Sequence, residues 1–147
     1  MLRAFLLIVV GLAGDPEHLE LFQGWGSAMA EAAETVGVPS DRLVYLAEAP
    51  QDPRVRGRAT REEISAALSG FAEAAAPEDV VYVVLIGHGS YDGSAARFNL
   101  PGPDMTPADF NPLLGAIPAR NVVFVNTSSS SGPFVEGLSG PGRTIIT

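Results

Sequence analysis

Unbroken apolar runs and segments of helical periodicity alternate along this chain. A run without polar alternation is typical of a parallel strand whose two faces are both covered by helices. Because the run VVYVVLI has no polar alternation along its length, we expect it to form the central strand. The apolar runs predict five strands, at residues 5–10, 42–46, 80–86, 122–125 and 143–147.

Apolar positions at helical spacing predict three helices between these strands, at residues 16–36, 60–77 and 106–114. The second helix begins at a capping box, in which the Thr60 hydroxyl and the Glu63 carboxylate each accept a hydrogen bond from the other residue's N–H. The polar, proline-bearing segment at residues 48–59 is predicted to be a mobile loop.

This alternation of strands and helices predicts an α/β fold. We expect a three-layer sandwich, with a mostly parallel sheet and helices on both of its faces. Since no internal repeat and no linker divides the sequence, residues 1–147 are expected to form one domain.

Residues 1–13 admit two interpretations. In the first, residues 5–10 are a buried parallel strand that ends at a glycine-rich turn, and the protein is cytoplasmic. In the second, Arg3 and the apolar stretch after it form a secretory signal peptide, and the protein is exported. The run is too short to cross a bilayer, which takes about 20 residues, so neither interpretation predicts a membrane protein.

Composition and charge narrow the possible functions. The 46% hydrophobic and 18% charged residues are typical of a folded domain. A net charge of −8 disfavours nucleic acid and anionic membranes as partners. All nine basic residues are arginines, which excludes a Walker lysine and a lysine Schiff base. The chain has no cysteine, so it can form neither a thiolate metal site nor a cysteine nucleophile.

Two loops that follow buried strands carry candidate chemistry. His88 lies between two glycines after the third strand, and four serines, Ser128 to Ser131, follow the fourth. In an open parallel sheet the ligand crevice lies at the carboxyl ends of the strands, so neighbouring strands would bring these loops together. His88 can then act as a general base and one serine as a nucleophile. Alternatively, His88 packs against a loop and the serines form turns through local hydrogen bonds.

These loops resemble two motifs of the caspase/legumain clan of cysteine peptidases. Residues 83–90, VVLIGHGS, are similar to the clan's histidine motif, a hydrophobic strand that ends in His-Gly. Residues 128–138, SSSSGPFVEGL, align without a gap with ACESGSMFEGL of legumain-like members. The first strand, the capped second helix and the short last strand are also similar to the clan. The resemblance covers nearly the whole chain and implies a caspase-like α/β fold with His88 as a catalytic residue.

The position that matches the clan's nucleophilic cysteine is Ser129. A cysteine thiol is partly ionised near neutral pH, whereas a serine hydroxyl is not. A serine nucleophile therefore needs a base in hydrogen-bond contact, usually oriented by a third group. Asp92 or Asp104 can supply that group, although no spacing places either carboxylate beside His88. The resemblance assigns the oxyanion hole to the backbone amides of Gly89 and Ser129, which can bind a peptide carbonyl without turnover.

Two functions follow from the resemblance. The first is a catalytically inactive pseudopeptidase that binds a peptide or protein as a regulatory module. The second is an active peptidase or esterase in which Ser129 is the nucleophile, or Ser128 or Ser130 if the register differs, with His88 as the base. Neither function calls for a cofactor or a metal ion.

Two further groups of residues have simpler interpretations. His18 lies in a predicted helix near two glutamates, and we expect it to be solvated rather than a metal ligand. Arg54, Arg56 and Arg58 are expected to be a solvated loop patch, with recognition of an acidic side chain as the alternative.

The resemblance also bears on the extent of the chain. Clan members continue with at least one more strand, so we expect this chain to be incomplete after its fifth strand. An unpaired apolar edge at residues 144–146 invites pairing with another copy. We therefore expect the chain by itself to pair or aggregate.

Overall fold

The computed structural model describes residues 3–147. Met1 and Leu2, which belong to the signal-peptide alternative, lie outside the described residues. The strands are β1 (Ala4–Val10), β2 (Leu43–Ala47), β3 (Val55–Arg58), β4 (Val80–Ile86), β5 (Gly89–Tyr91), β6 (Ala96–Phe98), β7 (Asn121–Asn126) and β8 (Arg143–Ile146). The helices are α1 (Pro16–Thr35), α2 (Arg61–Ala74), α3 (Pro107–Gly115) and α4 (Pro133–Leu138).

Six strands form one sheet in the order β3-β2-β1-β4-β7-β8, and every neighbouring pair is parallel. β5 and β6 form a separate antiparallel hairpin. α1 lies on one face of the sheet, and α2, α3 and α4 lie on the other. The predicted three-layer α/β fold with a parallel sheet is therefore confirmed.

β1 and β4 form the centre of the sheet because their side chains can be buried on both faces. Every residue of β1 is buried, and Tyr82 is the exposed residue of β4. The two strands align along their whole length, from Ala4 beside Val80 to Val10 beside Ile86. The longest apolar runs thus form the middle of the sheet, as expected for strands covered on both sides.

Side-chain caps fix where α2 and α3 begin. Thr106 and Asp109 form a complete capping box at α3. The capping box predicted at α2 is only half formed, since Thr60 Oγ1 accepts from the Glu63 N–H (3.3 Å) while the Thr60 N–H donates to the Arg58 carbonyl (2.8 Å). The Thr60 N–H, which was expected to donate to the Glu63 carboxylate, therefore donates to the last residue of β3 instead.

The segment at residues 48–59, predicted to be a mobile loop, contains the edge strand β3. Asp52 Oδ1 accepts from the N–H and the Nε of Arg54 (2.8 and 2.9 Å), and Arg54 also reaches Glu34 of α1 (3.3 Å). These bonds hold the segment against α1 and bring Val55 beside β2. The loop prediction was wrong. An edge strand pairs with one neighbour only and stays partly exposed, so its sequence does not form the apolar run from which strands were predicted.

The hairpin β5–β6 and the helix α4 are also absent from the sequence prediction. β5 and β6 have three residues each and α4 has six, which is too short for a periodic signal. Phe134 of α4 stacks on Phe124 of β7, with the ring centroids 6.0 Å apart. Packing on the sheet, rather than the periodicity of its own sequence, therefore stabilises this short helix.

No helix within residues 3–147 is long and apolar enough to cross a bilayer. The longest of them, α1, has 20 residues and carries four glutamates.

Candidate functional site

The loops after β1, β4 and β7 lie at the carboxyl edge of the sheet. Because β4 and β7 are neighbours, the loop that holds His88 lies next to the serine loop, as predicted. A Cβ atom on Gly89 would overlap the carbonyl oxygen of Ser129 and would lie 2.6 Å from Ser128 Oγ. The two loops therefore touch through their backbones, and the glycine at position 89 permits this contact.

The ring of His88 is turned toward α1. Its centroid lies 4.8 Å from the centroid of the His18 ring and 5.0 Å from that of Phe22, and both of these residues belong to α1. Among residues 3–147, no hydrogen bond joins this ring to Ser129 or to a carboxylate. The fold thus brings the two predicted loops together without placing the base and the nucleophile in hydrogen-bond contact.

Neither aspartate considered as an orienting group contacts the ring of this histidine. Asp92 is held by the N–H of Ala95 and by Arg97, and these hydrogen bonds lower the pKa of Asp92 to about 2. Asp104 accepts from Asn99 Nδ2 (3.0 Å) and from a backbone N–H. Both carboxylates therefore stabilise the hairpin and the loop that follows it.

The side chain of His18, at the start of α1, is 42% exposed to solvent. Its Nδ1 lies 2.7 Å from Asp15 Oδ2, and its ring packs on that of His88. The backbone N–H and the ring of His18 hold the pKa of Asp15 below its usual value. Asp15 thus caps α1 and orients an imidazole, as carboxylates do beside catalytic and ligating histidines. The sequence feature that could have predicted this pair is an aspartate three residues before a histidine at the start of a helix.

The four serines lie in different environments. Ser128 is buried, and both its N–H (3.0 Å) and its Oγ (2.7 Å) donate to Asn126 Oδ1. Ser131 is buried as well. Ser130 has a positive φ of 58°, which turns the chain toward α4. Ser129 is exposed, and no hydrogen bond within residues 3–147 engages its Oγ, so its hydroxyl is free to meet a ligand.

Asn126 is a site residue that the sequence prediction omits. Its side-chain oxygen must face Ser128, because the backbone N–H there can only donate. Its Nδ2 is buried and has no partner among the described residues. The only feature of the sequence that could have pointed to Asn126 is the presence of an asparagine at the end of an apolar strand.

The backbone amide of Gly89 is not used by the hairpin. The Asn99 N–H donates to the His88 carbonyl (3.0 Å), and Phe98, which lies opposite Gly89, bonds to Met105 through both its N–H and its carbonyl (2.8 and 3.2 Å). Antiparallel pairs alternate between bonded and non-bonded positions, so Gly89 occupies a non-bonded one. Its N–H can therefore donate to a ligand beside the serine loop.

No family model and no curated protein matches this chain. The resemblance to the caspase/legumain clan therefore rests on its two motifs and stays a prediction. Without the edge strand β3, the strands of the sheet lie in the order β2-β1-β4-β7-β8. When these five strands are numbered along the chain, the order is second, first, third, fourth, fifth. This order is common to doubly wound folds of unrelated function.

The arginines of the β2–β3 segment do not form a free fork for a carboxylate. Arg54 pairs with Asp52 (2.7 Å) and with a glutamate of α1, and Arg56 donates to the Ser40 carbonyl. Two of the three guanidinium groups that this patch could offer to an acidic side chain are therefore already bound to partners within the protein. Residues 3–147 hold no group of three or more histidine and acidic side chains placed to bind a metal ion.

Proposed function

We propose that this chain is a caspase/legumain-like domain that binds a peptide or protein segment at the carboxyl edge of its sheet without cleaving it. The observation that carries the proposal is the position of the His88 ring. This ring packs on His18 and Phe22, and within the described residues it forms no hydrogen bond with Ser129 or with a carboxylate.

A serine nucleophile depends on its base more strongly than a cysteine does. The serine hydroxyl must pass its proton to a base in hydrogen-bond contact as attack occurs, whereas a cysteine is already partly ionised. Here the imidazole of the histidine motif has aromatic neighbours instead, and the nearby Asp15 carboxylate orients His18. This arrangement favours binding over turnover.

Two features favour the binding of a backbone carbonyl. The Gly89 N–H is not paired with β6, and its loop contacts the Ser129 backbone. The hydrogen bonds from Ser128 to Asn126 restrain the loop that carries the Ser129 amide, the second donor that the resemblance implies. We propose that the two amides together bind one peptide carbonyl, as the donors of an oxyanion hole do. The ligand is therefore proposed to be an extended peptide with one carbonyl at this position.

The second candidate is a serine hydrolase that uses Ser129 and His88. It is favoured by the exposed Ser129 Oγ, which no hydrogen bond engages among residues 3–147. Catalytic hydrogen bonds are often long in unliganded enzymes and shorten when the substrate binds. The His88 ring would have to turn away from α1 to reach the serine.

Intact-mass labelling with a fluorophosphonate probe separates the two functions. We expect the folded protein to stay unlabelled under conditions that label an added serine hydrolase fully, because no base activates Ser129. Ser129→Ala and His88→Ala are the matched variants. A probe mass on the parent protein that both variants lack would establish the hydrolase.

The binding half of the proposal is tested in the same samples by NMR. Pools of capped tripeptides are the probe, and the amide signals of Gly89 and Ser129 are the readout. We expect both signals to shift with at least one pool. If neither signal moves with any pool and the protein also stays unlabelled, the site is not a peptide-binding site.

A further inference from the structure

An apolar cavity lies where α1 meets the carboxyl ends of β4 and β7. Its volume is about 290 Å³. The apolar walls are formed by Phe22, Trp25 and Met29 of α1 and by Val84 and Ile86 of β4. This volume is at the lower end of the range for ligand pockets, so the cavity has room for one large side chain of a ligand rather than for a longer segment.

The cavity shares its wall with the two loops that carry the proposed carbonyl donors. Gly87 and Thr127 line it. Gly87 is two residues before Gly89, and Thr127 is two residues before Ser129. Two residues of extended chain span at most about 7 Å. A large side chain on a peptide residue whose carbonyl is bound by the Gly89 and Ser129 amides is long enough to cover this distance.

The ring of His88 borders the same cavity. It packs on the ring of Phe22, which lines the cavity, with the centroids 5.0 Å apart. The ring of Phe22 in turn packs on that of Trp25 (5.8 Å). The orientation of the His88 ring, which leaves it without a hydrogen bond to Ser129 among the described residues, therefore extends the aromatic wall of the cavity.

The lining favours an apolar group of the ligand. No charged side chain among residues 3–147 lines the cavity, and the hydroxyl of Thr127 already donates to the Leu85 carbonyl (2.9 Å). A charged side chain that entered would lose its hydration without gaining an ionic partner, which is costly. An apolar side chain gains free energy from the same burial, in proportion to the surface that it removes from water.

We propose that this cavity selects peptides with a bulky apolar side chain on the residue whose carbonyl the Gly89 and Ser129 amides bind. Leucine, methionine or phenylalanine would pack on Trp25 and Met29. One side chain in the cavity would also determine which carbonyl of an extended peptide reaches the two amides. The inference rests on the proposed function, because it concerns the ligand of the same site.

A set of capped tripeptides tests this selection. They have the form acetyl-Gly-X-Gly-amide, with leucine, alanine, lysine or glutamate as X. Trp25 is the single tryptophan of the chain and lines the cavity, so its emission reports on occupancy directly. We expect the leucine peptide to shift this emission to shorter wavelength and to bind at least about tenfold more tightly than the alanine peptide. The lysine and glutamate peptides should bind no more tightly than the alanine peptide.

Substitutions in α1 locate the binding. Met29→Gln should lower the affinity for the leucine peptide by about fivefold and leave that for the alanine peptide nearly unchanged. Leu21→Gln is the matched control, because Leu21 is an exposed residue of the same helix that does not line the cavity. Trp25→Gln, at a residue that is 55% exposed, is the second variant. Its binding is followed by the amide signals of Gly89 and Ser129, and it should also lose much of the preference for leucine.

The two kinds of signal separate the cavity from the carbonyl site. If the Gly89 and Ser129 signals shift equally with all the peptides, the proposed function stands and selection by the cavity is disproved. Unchanged leucine affinity in folded Met29→Gln and Trp25→Gln proteins disproves it as well. If Trp25 responds to the leucine peptide while neither amide signal moves, the cavity binds apolar groups independently of the carbonyl site, which contradicts the proposal. If no signal moves with any peptide, the cavity proposal and the proposed function both fail.

Discussion

Gly89 is the residue on which the contact between the two site loops depends. A Cβ atom there would overlap the carbonyl oxygen of Ser129, and this obstacle is backbone that cannot rotate away. We expect Gly89→Ala to lower the free energy of unfolding by about 1–3 kcal/mol, the usual cost of adding atoms to a packed region. Urea unfolding measures the change.

Gly70→Ala is the matched control for this substitution. Gly70 lies within α2, and a Cβ there would meet nothing within 4 Å. Alanine at this position should raise the free energy of unfolding by about 0.5–1 kcal/mol, because it lowers the backbone entropy of the unfolded chain. A Gly89→Ala protein as stable as the parent would show that the loops do not touch in solution.

At the level of residues, the sequence predicts where the site lies better than it predicts what the side chains do. His88 and Ser129 follow two buried runs, and the rule for parallel sheets is enough to place their loops together. The direction of the His88 ring depends on His18 and Phe22, which are distant in the sequence, so no local spacing encodes it. The bond from Ser128 to Asn126 is local and could have been anticipated from the turn-forming tendency of asparagine.

At the level of elements, the sequence predicts those that carry their own apolar pattern. β4 has the predicted bounds, and β1 begins one residue earlier than predicted. β3 alternates between partly buried and exposed residues, and its place in the sheet comes from β2 and from the Arg54 contacts. β5, β6 and α4 are likewise determined by their neighbours. Short elements at an edge obtain their stability from tertiary contacts, which periodicity cannot show.

The ion pair in front of β3 makes the stability of this edge depend on pH. The side-chain hydrogen bonds from Arg54 hold the pKa of Asp52 well below its usual range. The unfolded chain takes up a proton near pH 3.9, where the folded protein still holds the carboxylate ionised. The stabilisation is therefore present above that pH and is lost as the pH falls below it. We expect Asp52→Asn to lower Tm by about 2–4 °C at pH 7.

Thermal unfolding followed by circular dichroism from pH 7 to pH 2 measures this effect. The difference in Tm between the parent and Asp52→Asn should shrink below about pH 4. Asp41→Asn, at an exposed position without an ion-pair partner among residues 3–147, is the control and should follow the parent at every pH. Parallel curves for the parent and Asp52→Asn would show that Arg54 does not hold this carboxylate in solution.

At the level of the whole molecule, an open strand edge and a large net charge oppose each other. β8 is the last strand of the sheet, so one side of its backbone has no partner strand within the described residues. Its side chains alternate between partly buried and exposed, and Ile146 is 49% exposed. Such an edge pairs with another strand unless charge or shape prevents it. The net charge of −8 supplies a long-range repulsion between two copies.

We therefore expect self-association through β8 to increase with salt. Raising the ionic strength from 0.01 M to 0.15 M shortens the Debye length from about 30 Å to about 8 Å, which weakens the repulsion and leaves the backbone hydrogen bonds of an edge pair intact. Sedimentation measures the average mass over this range. Ile146→Lys should stay monomeric throughout because it places a charge on the edge, whereas Val135→Lys, which changes the net charge equally on α4, should associate. Association that weakens with salt would mean that complementary charges, rather than the β8 edge, hold the copies together.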